Sequence, residues 1–319
     1  VVFAGQGDGT VAVTLPDSYP VTISGTGEDG VPGSAALTIS HPGLSLVMSD
    51  AAEGGVATDY AAPEIAVTIE EIVEDGDALD FTGGVTMTGV EGRNARSGAD
   101  MPEFDSSFSA AAVAAAFAGT DPESGGTFDM EIAAADVVSR SEGTGGMFYG
   151  VSNELGEMID DGFTVASEGG SGEITFAFSA EDMPESFAAN GRVARTEGAL
   201  RIDAEQFAYD MGYQDISFAA SGSDIPMQEV TGSLGEMQSR VAFPSTPTEE
   251  PQPMAFTLAL RDLTLGESIW SLFDPTGALP RDPATLIVDL GGQIRFLADI
   301  FSEEEMADAA GPPAEVEAL

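Results

Sequence analysis

"SGEITFAFSA", residues 171–180, sets the pattern for the whole chain. Ile174, Phe176 and Phe178 alternate with Glu173, Thr175 and Ser179, so an extended backbone puts the apolar side chains on one face and the polar groups on the other. The alternation recurs upstream in Val11, Val13 and Leu15, in Leu37 and Ile39, in Leu44, Leu46 and Met48, in Ile65, Val67 and Ile69, and in Phe128, Met130 and Ile132. Downstream it returns in Leu200 and Ile202 and in Phe256, Leu258 and Leu260. Strict alternation gives one buried and one wet face, the mark of antiparallel sheet. Turns rich in Gly, Asp and Pro separate the runs, and helical crossovers are missing. The sequence predicts a mainly β protein: a long curved antiparallel sheet or a β-sandwich, with a few short helices.

The Ala-rich run "SAAAVAAAFAG", 109–119, has helical propensity but lies between strand-like segments and ends at a turn, so it reads as strand. Helix is expected at 153–161, at Glu267–Phe273 and at 302–310, where Ser302-Glu303-Glu304-Glu305 forms a capping-box pattern. An Asp followed by an apolar residue recurs at Asp136-Val137, Asp182-Met183, Asp224-Ile225 and Asp262-Leu263, as in repeated hairpin pairs of one sheet. The organisation reads as an N-terminal antiparallel β region over 1–145, a helical connector over 146–170, a second antiparallel region over 171–301 that includes the helix at 267–273, and an acidic helix and tail over 302–319. This fits two lobes as well as one continuous sheet.

Fifty-five acidic residues face ten basic ones, a net charge of −45, and all ten cations are Arg. Such a surface repels phosphates and anionic headgroups, so nucleic acid is excluded as an electrostatic partner. No apolar run approaches the roughly 20 residues of a membrane span, so no transmembrane segment is expected. With no Cys there are no disulfides, thiol nucleophiles or thiolate metal sites, and with no Lys there is no Schiff base, Ser-Lys dyad or P-loop lysine.

"GTGEDG", 25–30, matches a dinucleotide fingerprint, but no helix follows and two acids would repel a pyrophosphate; it reads as a turn. His41, the sole histidine, sits in "SHPG" and reads as a surface or turn residue, and no nucleophile-elbow motif accompanies it. "EDGDALD", 74–80, and "IDDG", 159–162, place acids near Gly without the ligand spacing of a calcium loop. No cofactor, metal ligand or catalytic residue is assigned.

"SLFDPTGALPRDPATLIVDLGG", 271–292, is the densest stretch. Asp274-Pro275 stops the helix at 267–273, because the residue before proline is pushed out of helical conformation. The connector through Pro280, Asp282 and Pro283 reads as a structural corner, with Arg281 pairing with Asp274, Asp282 or Asp289. "ATLIVDLGG" reads as a buried strand with Leu286, Val288 and Leu290 on one face. If the corner forms the lip of a ligand groove, Trp270, Phe273 and Arg281 are its candidates.

The segment "SIWSLFDPTGALPRDPATLIVDLGG" resembles the hallmark of the bacterial family known as domain of unknown function 2125. "GDGTVAVTLPDSYPVTISG" and "FAGTDPESGGTFDM" are similar to other stretches of it. The resemblance implies a Gram-negative envelope protein, exported to the periplasm by a signal peptide upstream of Val1, with further sequence at both ends. It brings no catalytic residues, and the absence of Lys here departs from the family. The leading expectation is a non-enzymatic periplasmic protein whose apolar sheet face lines a groove for a lipid or another hydrophobic small molecule. The alternative is an acidic structural or interaction protein that contacts another envelope protein and is stabilised by calcium. A carboxylate-based hydrolase ranks third.

Overall fold

The computed structural model describes residues 1–26, 31–122, 124–145, 159, 162–182, 186–223, 225, 229–245 and 250–294. They form one antiparallel sheet of 17 strands. In chain order these are β1 (Val2–Gly5), β2 (Val11–Thr14), β3 (Ser18–Thr26), β4 (Pro32–Ser40), β5 (Ser45–Asp50), β6 (Val56–Glu74), β7 (Asp77–Ala78), β8 (Phe81–Arg96), β9 (Glu103–Thr120), β10 (Thr127–Thr144), β11 (Thr164–Ser171), β12 (Ile174–Glu181), β13 (Phe187–Ile202), β14 (Phe207–Gly222), β15 (Val230–Phe243), β16 (Gln252–Leu265) and β17 (Ala284–Ile294). A 3₁₀ turn, Ala52–Gly54, and one α-helix, α1 (Glu267–Phe273), complete the described elements.

The pairing is an up-and-down meander. Three ranks are made of two short strands end to end: β2 with β3, β4 with β5, and β11 with β12. β6 pairs with β4 along one half and β5 along the other, and β10 and β13 embrace β11 and β12 in the same way. β8, β9, β14, β15 and β16 follow their neighbours in turn, and β17 pairs with β16 alone among the described strands. The sheet is continuous from β10 through β11 to β13, so residues 164–170 of the expected connector are strand. Residues 146–158, most of the helix expected at 153–161 and the helix expected at 302–310 lie outside the described residues. The Ala-rich run lies within β9, where cross-strand pairing on both sides overrides helical propensity.

A crease crosses the sheet at mid-strand. Pairing lapses there for one residue in each strand of several pairs while the register on either side stays constant, as in Ala62↔Val90 then Glu64↔Thr88, Ala110↔Val137 then Ala112↔Ala135, and Val193↔Ile216 then Arg195↔Gln214. Between β16 and β17 the register shifts by one residue instead. Left-handed residues mark the line, at Gly89 (φ 58), Asp136 (φ 50), Asp215 (φ 49) and Asp262 (φ 57). Two of these, Asp136 and Asp262, are members of the Asp repeat read in the sequence. Asp182 sits instead just past the end of β12 (φ 56), and Asp224 lies outside the described residues. An extra residue flips every later side chain to the other face unless the hydrophobic pattern shifts with it. It does shift: Ala62 and Ile65, Met87 and Val90, and Ala110 and Val113 pack in one cluster, each pair three residues apart. Ala62, Val90 and Ala110 are buried there, while Pro63, Gly89, Ala111 and Asp136 are exposed. The sheet therefore bends toward the cluster, with the inserted residues on the outside of the bend.

One layer leaves much surface open. The chain exposes 19490 Å², against about 12,000 Å² for a compact monomer of this length. The strand containing Leu286, Val288 and Leu290, expected to be buried, is an edge among the described strands, paired with β16 alone. Leu286 is 52% and Leu290 54% exposed. His41 occupies its turn as expected but is buried, its ring edge-on to Tyr19 at 5.7 Å.

Candidate functional site

The register and the three-residue step assign every described strand residue to one of two faces. On the bent-in face the ranks beyond the crease carry only apolar residues. One line runs Ile65–Met87–Val113–Ala134–Ile174–Val193–Ile216–Leu234, each facing the next across a strand pair. The next runs Val67–Val85–Ala115–Ile132–Phe176–Gly191–Phe218–Gly232–Leu265. Across the crease the same face carries Tyr209, Met211, Val241, Phe256, Leu258 and Val288 in its later ranks. Among the described residues from β5 to β17, charges reach this face only at strand ends, as Asp50, Glu74 and Arg96.

Five of the phenylalanines on this face lie across glycines of the facing strand. Phe117 pairs with Gly83, Phe128 with Gly119, Phe176 with Gly191, Phe218 with Gly232 and Phe187 with Gly222. A Cβ at Gly83 would sit 2.5 Å from Phe117 Cδ1, one at Gly232 2.6 Å from Phe218 Cζ, and one at Gly119 2.9 Å from Phe128 Cε1. The missing side chain is the reason a ring can lie flat here, covering the glycine backbone. Ring pairs reinforce the wall: Phe81 lies 6.1 Å from Phe117 and 6.0 Å from Phe128, and Phe178 lies 6.0 Å from Phe187. Ile132, Phe176, Phe187, Phe218 and Tyr209 are each 37–41% exposed, so the wall is open to what lies in the crease. Ile159 and Phe163 pack on Ile202, Val165, Leu200 and Phe207 at the strand ends of the other wall, closing its margin.

The outer face is the charged one. Its central line reads Asp59–Arg93–Ser107–Arg140–Glu168–Ala199–Asp210–Arg240–Thr257–Asp289. Arg93 meets Asp59 at 2.7 Å, Arg140 meets Asp105 at 3.6 Å, Arg240 Nε donates to Asp210 at 2.8 Å, and Arg261 meets Glu236 at 2.8 Å. A trough of about 450 Å³ on this face is lined by Arg140, Arg201 and Arg240, and each of the three is paired with an acid, Asp105, Asp203 and Asp210 in turn. Exposed pairs of this kind are worth little individually, so the belt serves solubility and register more than stability.

The corner at 271–292 is built around Asp274. Its buried carboxylate accepts from Leu279 N at 2.8 Å, Ala278 N at 3.0 Å, Thr276 Oγ1 at 3.1 Å and Arg281 Nη1 at 2.9 Å. The Arg281 guanidinium, with these donors, holds the Asp274 carboxyl well below the usual carboxylate range. Arg281 also donates to Glu267 at 3.0 Å, a partner absent from the sequence reading, and covers Trp270 at 4.8 Å from the ring centre. Asp282 and Asp289 form no ion pair with it among the described residues. Pro275, Pro280, Asp282 and Pro283 are exposed along the connector, and the Phe273 side chain lies outside the described residues. The structure brings Trp270 and Arg281 together but commits both to the corner. The sequence identified Phe128, Ile132, Phe176 and Phe178 only as apolar strand faces, and it did not identify the glycines opposite the rings, which lie on neighbouring strands.

No group of three or more His, Asp or Glu positioned for a metal occurs among the described residues. No helix there is long and apolar enough to cross a membrane. Comparison of the chain with family models, with curated proteins and with solved structures matches none of them.

Proposed function

We propose that the protein is a non-enzymatic carrier of hydrocarbon, holding the acyl chains of a lipid along its crease. The observation that carries this reading is the apolar wall beyond the crease on the inside of the bend, with the ion pairs of the strands confined to the outer face. From the β4–β5 rank to β16 the crease spans about 40 Å at the usual strand spacing. That exceeds one leaflet's hydrocarbon, half of the roughly 30 Å bilayer core, so more than one chain fits end to end. Flat rings offer a smooth wall suited to flexible chains, without the knobs and sockets of a protein interface. A second copy is disfavoured as occupant, because two chains of charge −45 repel one another. A periplasmic location rests on the resemblance noted for the corner segment.

The test is direct. The full exported chain, purified from periplasm without detergent, is extracted with organic solvent and compared with a mock purification by mass spectrometry. Stoichiometric lipid is expected, and Ile132→Glu, a charge placed on the exposed wall, should cut retention at least tenfold because an unpaired carboxylate in hydrocarbon is costly. An extract that is clean, and stays clean after lipid is added back, overturns the reading.

A further inference from the structure

The two walls of the crease differ in chemistry, and the difference bears on which lipid is held; the inference rests on the hydrocarbon reading above. Beyond the crease the wall is Phe, Ile, Val, Leu, Met, Ala and Gly. On the near side its middle ranks carry small hydroxyls and glycines instead. Ser106 Oγ donates to Asn94 at 2.5 Å, Ser141 and Ser167 share a hydrogen bond of 2.8 Å, and Ser171 and Thr196 share one of 2.9 Å. Beside them, Ser139, Ser167, Thr196, Leu200, Tyr209 and Met211 line a cavity of about 240 Å³. By register and alternation these six side chains share the bent-in face with the aromatic wall. No Arg or His projects from that part of the face, and its acids point to the other side.

We infer that the crease takes the ester and glycerol portion of a glycerolipid on this hydroxyl patch, with its chains on the aromatic wall, and that it discriminates against free fatty acids. In the Ser141–Ser167 pair one O–H is used between the two and the other stays rotatable, so the pair offers one donor and its remaining lone pairs to a neutral ester or alcohol, while Ser106, Ser171 and Thr196 offer lone pairs. A carboxylate would find no cation here. It would be desolvated beside hydrocarbon in a strongly negative protein, which costs far more than burying an ester. The chemistry is shared by neutral diacylglycerols and by the glycerol region of phospholipids, whose phosphate would then project from the crease.

Delipidated full-length protein is titrated with four probes: dioleoylglycerol, vesicles of dioleoylphosphatidylcholine, oleate at pH 8, and hexadecane. Dioleoylglycerol is expected to bind at least tenfold more tightly than oleate; uptake of phosphatidylcholine as well would make the phospholipid a source of the shared portion. Ser141→Ala with Ser167→Ala should weaken dioleoylglycerol about tenfold, the effect of one or two hydrogen bonds, and leave hexadecane unchanged. Unchanged hexadecane binding also shows that the variant is folded. Oleate binding as well as dioleoylglycerol, or a double variant that loses nothing, overturns this inference while hexadecane binding keeps the groove. Failure of all four probes overturns the hydrocarbon reading itself.

Discussion

Gly191→Ala tests the wall most sharply. Gly191 is buried on β13 opposite Phe176 of β12, and an added Cβ would collide with the Phe176 ring while standing 3.0 Å from Ser217 O. The ring must leave the sheet and stand in the crease. Overpacking of this kind costs about 1–3 kcal/mol, offset by about 0.5–1 kcal/mol because alanine suits a strand better than glycine, for a net loss of about 1–2 kcal/mol. Phe176→Ala alone should also cost about 1–2 kcal/mol, since the residue is 40% exposed and only part of its burial is lost. Together the two changes relieve the collision, so the double variant should be no less stable than Phe176→Ala. That implies a favourable coupling of about 1–2 kcal/mol. Urea denaturation followed by far-ultraviolet circular dichroism, with unchanged slopes across the four proteins, measures the cycle. Additivity within about 0.5 kcal/mol would mean that the ring does not rest on Gly191, and the smooth-wall argument would fail with it.

The crease itself is tested at Asp215, whose backbone is left-handed. Asp215→Val should cost about 1–2 kcal/mol because a β-branched side chain clashes in that region, whereas Asp215→Gly should stay within about 0.5 kcal/mol of the parent; equal denaturation midpoints for the two variants would remove the left-handed kink from the account. The corner should resist acid. The Asp274 carboxyl titrates below its unfolded value of about 3.9, so its contribution is complete above that pH and is lost only as pH falls through the lower folded value. The emission of Trp270, the sole tryptophan, should therefore be constant from about pH 7 to 4 and change only in stronger acid. A transition near pH 5 would contradict the Arg281 contact as the controlling one.

Much of this architecture was legible in the sequence, and the limits of that legibility have a physical cause. Alternation such as Ile65, Val67, Ile69 identified strands correctly, because one-sided burial imposes period two. It made them too short, since the alternation changes parity at each crease and a pattern reader stops there. Val67 and Tyr60 belong to one strand, and Ile132 and Val137 to another. Asp136 and Asp262 looked like strand ends for the same reason. The helix at Glu267–Phe273 was found because proline chemistry is local, as was the Asp274–Arg281 pair seven residues apart. The flat rings depend on glycines of neighbouring strands nine to 35 residues distant, such as Gly119 for Phe128, Gly191 for Phe176 and Gly222 for Phe187, and no local signal announces such partners. The exposure of β17 reflects its place at the end of the meander, which its own apolar composition does not reveal.

The coherent insertion at mid-strand also constrains how such a chain can change. Deleting Asp215 alone would restore unbroken alternation to β14, and half of that strand would then turn its phenylalanine and isoleucine to water and its serines to the crease. Its neighbours on both sides would still carry their extra residue, so hydrogen bonding would be out of step over one half of the strand. A single-codon deletion inside any rank is therefore paid for by two adjacent ranks at once, whereas a hairpin turn can gain or lose residues in isolation. Length variation in related chains should gather at the turns, and the distance from each turn to the nearest crease residue should be the quantity that drift leaves untouched.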